Sequence, residues 1–184
     1  MELLRAITIN YATQNHMPSP HELVDMYAEA VYNFCRSIAY SKEEADDLFQ
    51  ETYLKAIENL PKIKESPKGF LFATAIYIAK SWKRKHARRN RLAPASPFDK
   101  KDEKILSDTD IEGDYAQQED IRIVRQLVEA LPEKFKIPTL LFYNAELGVS
   151  DIATALGIPT GTVKSRLHKA RKIVEKGLVK NGYK

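Results

Sequence analysis

The sequence predicts an all-α protein: two small helical domains joined by a flexible acidic linker. Three observations carry that prediction. Apolar residues recur at helical spacing behind recognisable helix-start signals. No segment alternates convincingly as a strand. Periodicity lapses over residues 92–114, where Pro94, Pro97, Gly113 and several Ser and Asp collect. A chain of 184 residues suits two small domains. With 43% hydrophobic and 29% charged residues it has the composition of a folded protein rather than a disordered tail.

Each helix can be justified in turn. Ser19-Pro20-His21-Glu22 combines a Ser cap, a Pro at the first helical position and a Glu able to reach back to the cap. Leu23, Tyr27, Ala30, Val31, Phe34 and Ile38 follow at helical spacing. Ser41-Lys42-Glu43-Glu44 is a second capping box, whose helix should bury Ala45, Leu48, Phe49, Thr52 and Ala56 and end near Leu60-Pro61. Ser66-Pro67 starts a third helix with an inner stripe of Leu71, Ala75, Ile78 and Trp82. These three helices can share a core, which places a first domain at 20–91, after an N-terminal extension at 1–19. Within that extension Leu3, Leu4, Ile7 and Ile9 read as a short docking segment or a frayed end. A second domain occupies 115–184, with helices at about 115–131, 133–145, 150–156 and 160–178. Pro138 should kink or split the second of these, because an interior Pro costs about 3 kcal/mol.

Composition also excludes. No stretch approaches the roughly 20 apolar residues that span a bilayer. Glu2 and a short, interrupted apolar run argue against a secretory signal, so a cytoplasmic location is expected. The single cysteine, Cys35, rules out an internal disulfide and a multi-cysteine zinc site, and its place in an apolar stripe predicts a buried thiol. His16, His21, His86 and His168 are scattered, and no metalloprotease, nucleophile-elbow or phosphate-loop motif occurs. Asp46 and Asp47 are neighbours, so on a helix they diverge by about 100° and do not form a metal site. No enzyme, cofactor, metal or small-molecule substrate is therefore expected.

The charge pattern points elsewhere. Between Ser66 and Phe98 there is no acid, but there are Lys68, Lys80, Lys83, Arg84, Lys85, Arg88, Arg89 and Arg91. Asp99, Asp102, Glu103, Asp108, Asp110, Glu112 and Asp114 reverse the sign. From Thr160 onward Glu175 is the only acid among eight Lys and Arg. Two separated basic patches suggest a polyanion contacted twice.

The second patch has a recognisable frame. Ser150 to Leu167 reads as a helix-turn-helix, in which Ser150 caps the first helix, Ala153 permits a close crossing and Gly157 supplies a left-handed turn. Ile152, Leu156, Ile158, Val163 and Leu167 form its small core. On the last helix Val163, Leu167, Ala170 and Val174 face inward. Gly161, Ser165, His168, Lys169 and Lys172 point away, flanked by Lys164, Arg166 and Arg171, as a helix entering a DNA groove requires. On the third helix of the first domain, Tyr77, Lys80, Arg84, Arg88 and Arg91 lie opposite the inner stripe. A ring followed by a line of cations suits single-stranded nucleic acid. The second helix carries Asp46, Asp47, Gln50, Leu54 and Ile57 on its outer face, a strip fit for a protein partner.

These residues carry a family resemblance. Glu44-Ala45-Asp46-Asp47-Leu48-Phe49-Gln50-Glu51-Thr52-Tyr53-Leu54-Lys55-Ala56 resembles the core-binding helix of bacterial sigma factors. Gly161-Thr162-Val163-Lys164-Ser165-Arg166-Leu167-His168-Lys169-Ala170-Arg171 resembles their promoter-reading helix. The two-domain layout and length are similar to the small extracytoplasmic-function group of the sigma-70 family, with the resemblance covering about 20–91 and 115–178. Departures are Thr74-Ala75-Ile76-Tyr77 in place of the usual Ile-Ala-Arg-Asn, Ser81 in place of a common Asp, and Phe70 in place of a Trp.

The resemblance implies a factor that binds core RNA polymerase, through its beta and beta-prime subunits, and directs promoter-specific initiation while aiding promoter melting. Polymerase binding would fall to Asp46, Asp47, Gln50, Glu51, Leu54 and Ile57. The minus-ten element would meet Lys62, Lys64 and Lys68 in and beside a base-capturing loop at 61–69, and Tyr77, Lys80, Arg84 and Arg88 along the non-template strand. The minus-thirty-five element would meet Thr162, Lys164, Ser165, Arg166, His168, Lys169, Arg171 and Lys172. The acidic linker would run through positively charged polymerase channels. The family often has an anti-sigma partner. A free-standing helix-turn-helix regulator would account for the second domain, but has no reason to carry the Asp46–Ala56 motif joined to a basic third helix.

Overall fold

The computed structural model describes residues 18–60, 66–92 and 115–183, and among these every regular element is a helix. In chain order they are α1 Pro20–Ile38, α2 Lys42–Asn59, α3 Pro67–Leu92, α4 Tyr115–Glu129, α5 Glu133–Tyr143, α6 Val149–Leu156 and α7 Thr160–Lys180. The N-terminal stretch expected to be either a short docking segment or a frayed end, and the acidic linker, lie outside the described residues.

Local chemistry sets the helix starts. At α1 the capping box is complete: the Glu22 amide donates to Ser19 Oγ at 3.3 Å and the Ser19 amide donates to the Glu22 carboxylate at 2.7 Å. At α2 the Ser41 hydroxyl accepts the Glu44 amide at 3.1 Å, but the Glu44 carboxylate takes the amide of Tyr40 at 2.7 Å, one residue earlier than a box requires. The expected Ser150 cap is displaced: α6 begins at Val149 with Gly148 as its N-cap, and Ser150 lies inside the first turn. Pro138 does not split α5, which runs unbroken from Glu133 to Tyr143. The ring of Pro138 is fully buried, and that burial offsets the one lost backbone hydrogen bond.

The core of α1–α3 contains most of the predicted residues, with Tyr27, Ala30, Ile38 and Phe49 only partly buried at its edge, and three that periodicity on one face did not mark. Tyr53, Phe72 and Ile76 are buried alongside Leu23, Val31, Phe34, Ala45, Leu48, Ala56, Leu71, Ala75 and Ile78. Phe34 and Phe72 meet edge to face at 5.2 Å. α3 is buried across a wide arc because α1 and α2 pack on it from one side and α6 from another. Trp82 is half-buried and packs on the cluster. Around α7, Ile152, Val163, Leu167 and Ala170 are buried, and Leu156 and Ile158 pack at the edge. Tyr183 ties the C-terminus to α4 by donating to Asp120 at 2.5 Å.

The two helical sets are packed together, and their buried residues form one continuous apolar cluster. α3 lies against α6 and α1 touches α5. Lys83 joins the sets, with its ammonium 3.0 Å from Glu133 and 5.5 Å above the Tyr40 ring. The pair is partly exposed and contributes no more than about 1 kcal/mol, so the apolar contact dominates.

Cys35 is fully buried, and desolvation pushes its thiol up from 9.0 to about 12. A folded-state pKa above the unfolded value stabilises below the lower pKa. That contribution is lost as pH rises from about 9 towards 12, because the unfolded chain releases its proton first. Burial raises Tyr27 and Tyr53 in the same sense. The denaturation midpoint is therefore expected to fall between pH 9 and 11. The fall should be shallower in Cys35→Ala, relative to that variant's own value at pH 8. An equally steep fall in the variant would remove Cys35 from the explanation.

Candidate nucleic-acid and polymerase interfaces

The helix-turn-helix is built as its sequence requires. Gly157 takes φ 64° and ψ 40°, the left-handed conformation, and ends α6. The Ile158 amide donates to the Ala153 carbonyl at 3.0 Å, which turns the chain into α7. A side chain at Gly157 would meet no neighbour, so the cost of replacing it is conformational. Gly157→Val is expected to cost about 1–3 kcal/mol, read as a lower urea midpoint. An unchanged midpoint would show that the turn tolerates a β-branched residue.

On α7 the expected reading face is largely free. Gly161, Lys164, Ser165, His168, Lys169, Arg171 and Lys172 are exposed, while Thr162 and Arg166 are half-buried against the domain. The Ser165 hydroxyl donates to the Thr162 carbonyl at 3.0 Å, which leaves its oxygen available as an acceptor. Small and polar residues occupy the N-terminal end and cations both flanks, so this face can lie in a major groove.

The α3 face is equally plain. Tyr77 is 64% exposed, although it follows two buried residues. Lys80, Arg84, Arg88 and Arg91 continue its line and are exposed. Lys68, at the helix start, is half-buried, and Lys62 and Lys64 lie outside the described residues. An exposed ring in line with four cations can stack a base and follow a phosphate chain.

The α2 strip needs one correction. Asp47, Gln50, Leu54 and Ile57 are exposed, with Leu54 at 62% and Ile57 at 41%, and Glu51 is half-buried. Asp46, expected on this outer face, instead turns towards α1. It is half-buried, and its carboxylate accepts the Tyr32 hydroxyl at 2.8 Å. That hydrogen bond raises the Tyr32 phenol above its usual range. The Tyr32 ring packs edge-on against Phe49 at 5.5 Å, and Phe49 lies 4.9 Å from Tyr53, whose hydroxyl donates to the Leu23 carbonyl at 3.3 Å. This chain of rings fixes the rotation of α2 on α1. Sequence reasoning missed Tyr32 because a tyrosine on a half-buried helical face carries no mark of its partner. Among the described residues no cluster of three or more His, Cys, Asp or Glu could hold a metal ion, and no helix is long and apolar enough to cross a membrane.

Comparison with known proteins agrees with this geometry. The family model for sigma-70 region 2 matches residues 23–89, and that for sigma-70 region 4 matches residues 121–174. The extracytoplasmic-function sigma factor SigW of Bacillus subtilis is 26% identical over 97% of this chain and 98% of its own length. SigC of Mycobacterium tuberculosis is 30% identical over 74% of this chain and 72% of its own. Among solved structures, the sigma factor RpoE of Bartonella quintana, crystallised with the anti-sigma factor NepR, superimposes with a TM-score of 0.67. That match has 20% identity and covers 84% of this chain and 93% of that one.

Proposed function

Because this chain belongs to the extracytoplasmic-function group of the sigma-70 family and directs promoter-specific initiation by core RNA polymerase, we propose how its surfaces divide that work. Residues 20–91 act as region 2, residues 92–114 as the linker and residues 115–184 as region 4. The outer strip of α2, with Asp47, Gln50, Glu51, Leu54 and Ile57, grips the polymerase. Asp46 contributes by holding α2 in place. Tyr77, Lys80, Arg84 and Arg88, with Lys62, Lys64 and Lys68 beside them, hold the melted minus-ten strand. Lys164, Arg166, Arg171 and Lys172 bind phosphates around the minus-thirty-five element, while Thr162, Ser165, His168 and Lys169 meet base edges.

The factor catalyses nothing itself and needs no cofactor; it works in the cytoplasm, where its polymerase is. An anti-sigma factor is a further candidate partner, since the similarly folded sigma factor RpoE of Bartonella quintana was crystallised in complex with one. The observation that carries this reading is the coexistence, on one three-helix unit, of an exposed apolar–acidic strip and an exposed ring-and-cation face. A free-standing regulator would need only the helix-turn-helix.

Transcription of a fragmented genomic library by bacterial core polymerase, with and without the chain, tests it. Discrete new start sites sharing two spaced upstream motifs are expected. No new starts, together with no co-purification with core polymerase, would overturn the reading.

A further inference from the structure

The cations of α3 encircle the helix, and strand binding accounts for only part of them. At 100° per residue, Lys80, Arg84, Arg88 and Arg91 share Tyr77's side, whereas Lys85, His86 and Arg89 lie roughly 80–180° away. These three, with Trp82, form one wall of a groove of about 310 Å³, and Glu44 and Asp47 of α2 form the other. Lys85, His86, Arg89 and Asp47 are exposed. None of the ion pairs among the described residues joins the two walls. Glu44 has one oxygen engaged by the Tyr40 amide. Acids and cations thus line opposite sides of a groove that includes a half-buried tryptophan, without forming an ion pair with one another.

A nucleic-acid strand does not fit this groove, because its phosphates would meet Glu44 and Asp47. A protein helix carrying an acid and a cation one turn apart satisfies both walls and can lay an apolar or cationic side chain on the Trp82 ring. The groove is also continuous with the α2 strip, since Asp47 belongs to both. We infer that the polymerase interface extends from α2 across this groove, with Lys85 and Arg89 receiving an acidic side chain of core polymerase and Glu44 and Asp47 a basic one. This rests on the reading of α2 as polymerase-binding.

The test measures affinity of the full chain for core polymerase in the absence of DNA. Lys85→Glu with Arg89→Glu is expected to weaken binding at least tenfold. Lys176→Glu with Lys180→Glu makes the same charge change on α7 and should stay within twofold. All four side chains are exposed, and unchanged thermal melting will show that the fold is kept. If the α3 reversal matches the α7 control while Leu54→Arg abolishes binding, the groove is not part of the interface. If Leu54→Arg also has no effect, the α2 reading fails and the inference with it. A photocrosslinker attached to His86→Cys should capture a polymerase subunit in the promoter complex; capture of DNA alone would overturn the inference.

Discussion

A chain carrying Gly69→Cys and Asp151→Cys is expected to lose promoter-directed transcription at least tenfold on oxidation and to recover it on reduction. A Cβ at Gly69 would lie 3.9 Å from that of Asp151, within the range a disulfide spans. The bond would join the start of α3 to α6 and lock the packed arrangement. That arrangement does not set the proposed minus-ten and minus-thirty-five faces at promoter spacing. Elements numbered minus ten and minus thirty-five lie about 25 base pairs apart, roughly 85 Å along a duplex at about 3.4 Å per base pair. Packed helices such as α3 and α6 have axes only about 8–10 Å apart, and α7 is the next helix on. Residues 93–114 have a contour length of roughly 70–80 Å, at about 3.3–3.6 Å per residue, and the 26 residues of α3 add about 39 Å at about 1.5 Å per residue, so linker and helices together can span the required distance once the two sets part. Cys35 does not compete for the new thiols, since it is fully buried and its thiol is pushed up to about 12. Mass spectrometry would verify the bond. Full transcription by the verified oxidised form would mean that promoter reading leaves the contact intact.

Much of this was legible in the sequence, for identifiable reasons. Capping residues and a 3.6-residue period are local signals, so helix starts at Pro20, Lys42, Pro67 and Thr160 could be read directly. Gly157 announced its own conformation because few other residues adopt it cheaply. The exposed faces of α3 and α7 followed from angular position alone. What was not legible depended on a second element. Phe72 and Ile76 are buried because α3 is covered from more than one side, and a wheel drawn for one face cannot show that. Asp46 turns inward because Tyr32 offers it a hydroxyl from another helix. The Glu44–Arg89 groove depends on the spacing of two helices, which neither helix encodes by itself.

The proposed division of labour between α2 and α7 is separable by substitution. Gln50→Arg with Leu54→Arg places two cations where the α2 strip is exposed, adjoining the apolar Ile57. An interface that must desolvate a new charge loses several kcal/mol, so polymerase affinity should fall by a hundredfold or more. The proposal gives minus-thirty-five duplex binding to α7 alone, so that binding should persist. Lys169→Ala works in the opposite direction. Lys169 is exposed at the N-terminal half of α7, and loss of one groove contact costs about 1–3 kcal/mol. Preference for the minus-thirty-five sequence should therefore fall roughly tenfold, with polymerase affinity within twofold of the parent. Polymerase binding measured without DNA, and promoter competition measured with saturating polymerase, separate the two effects. Equal loss of polymerase binding in both variants would show that α2 and α7 do not act as distinct surfaces. In that case the packed arrangement, rather than either helix face, would be what the polymerase recognises.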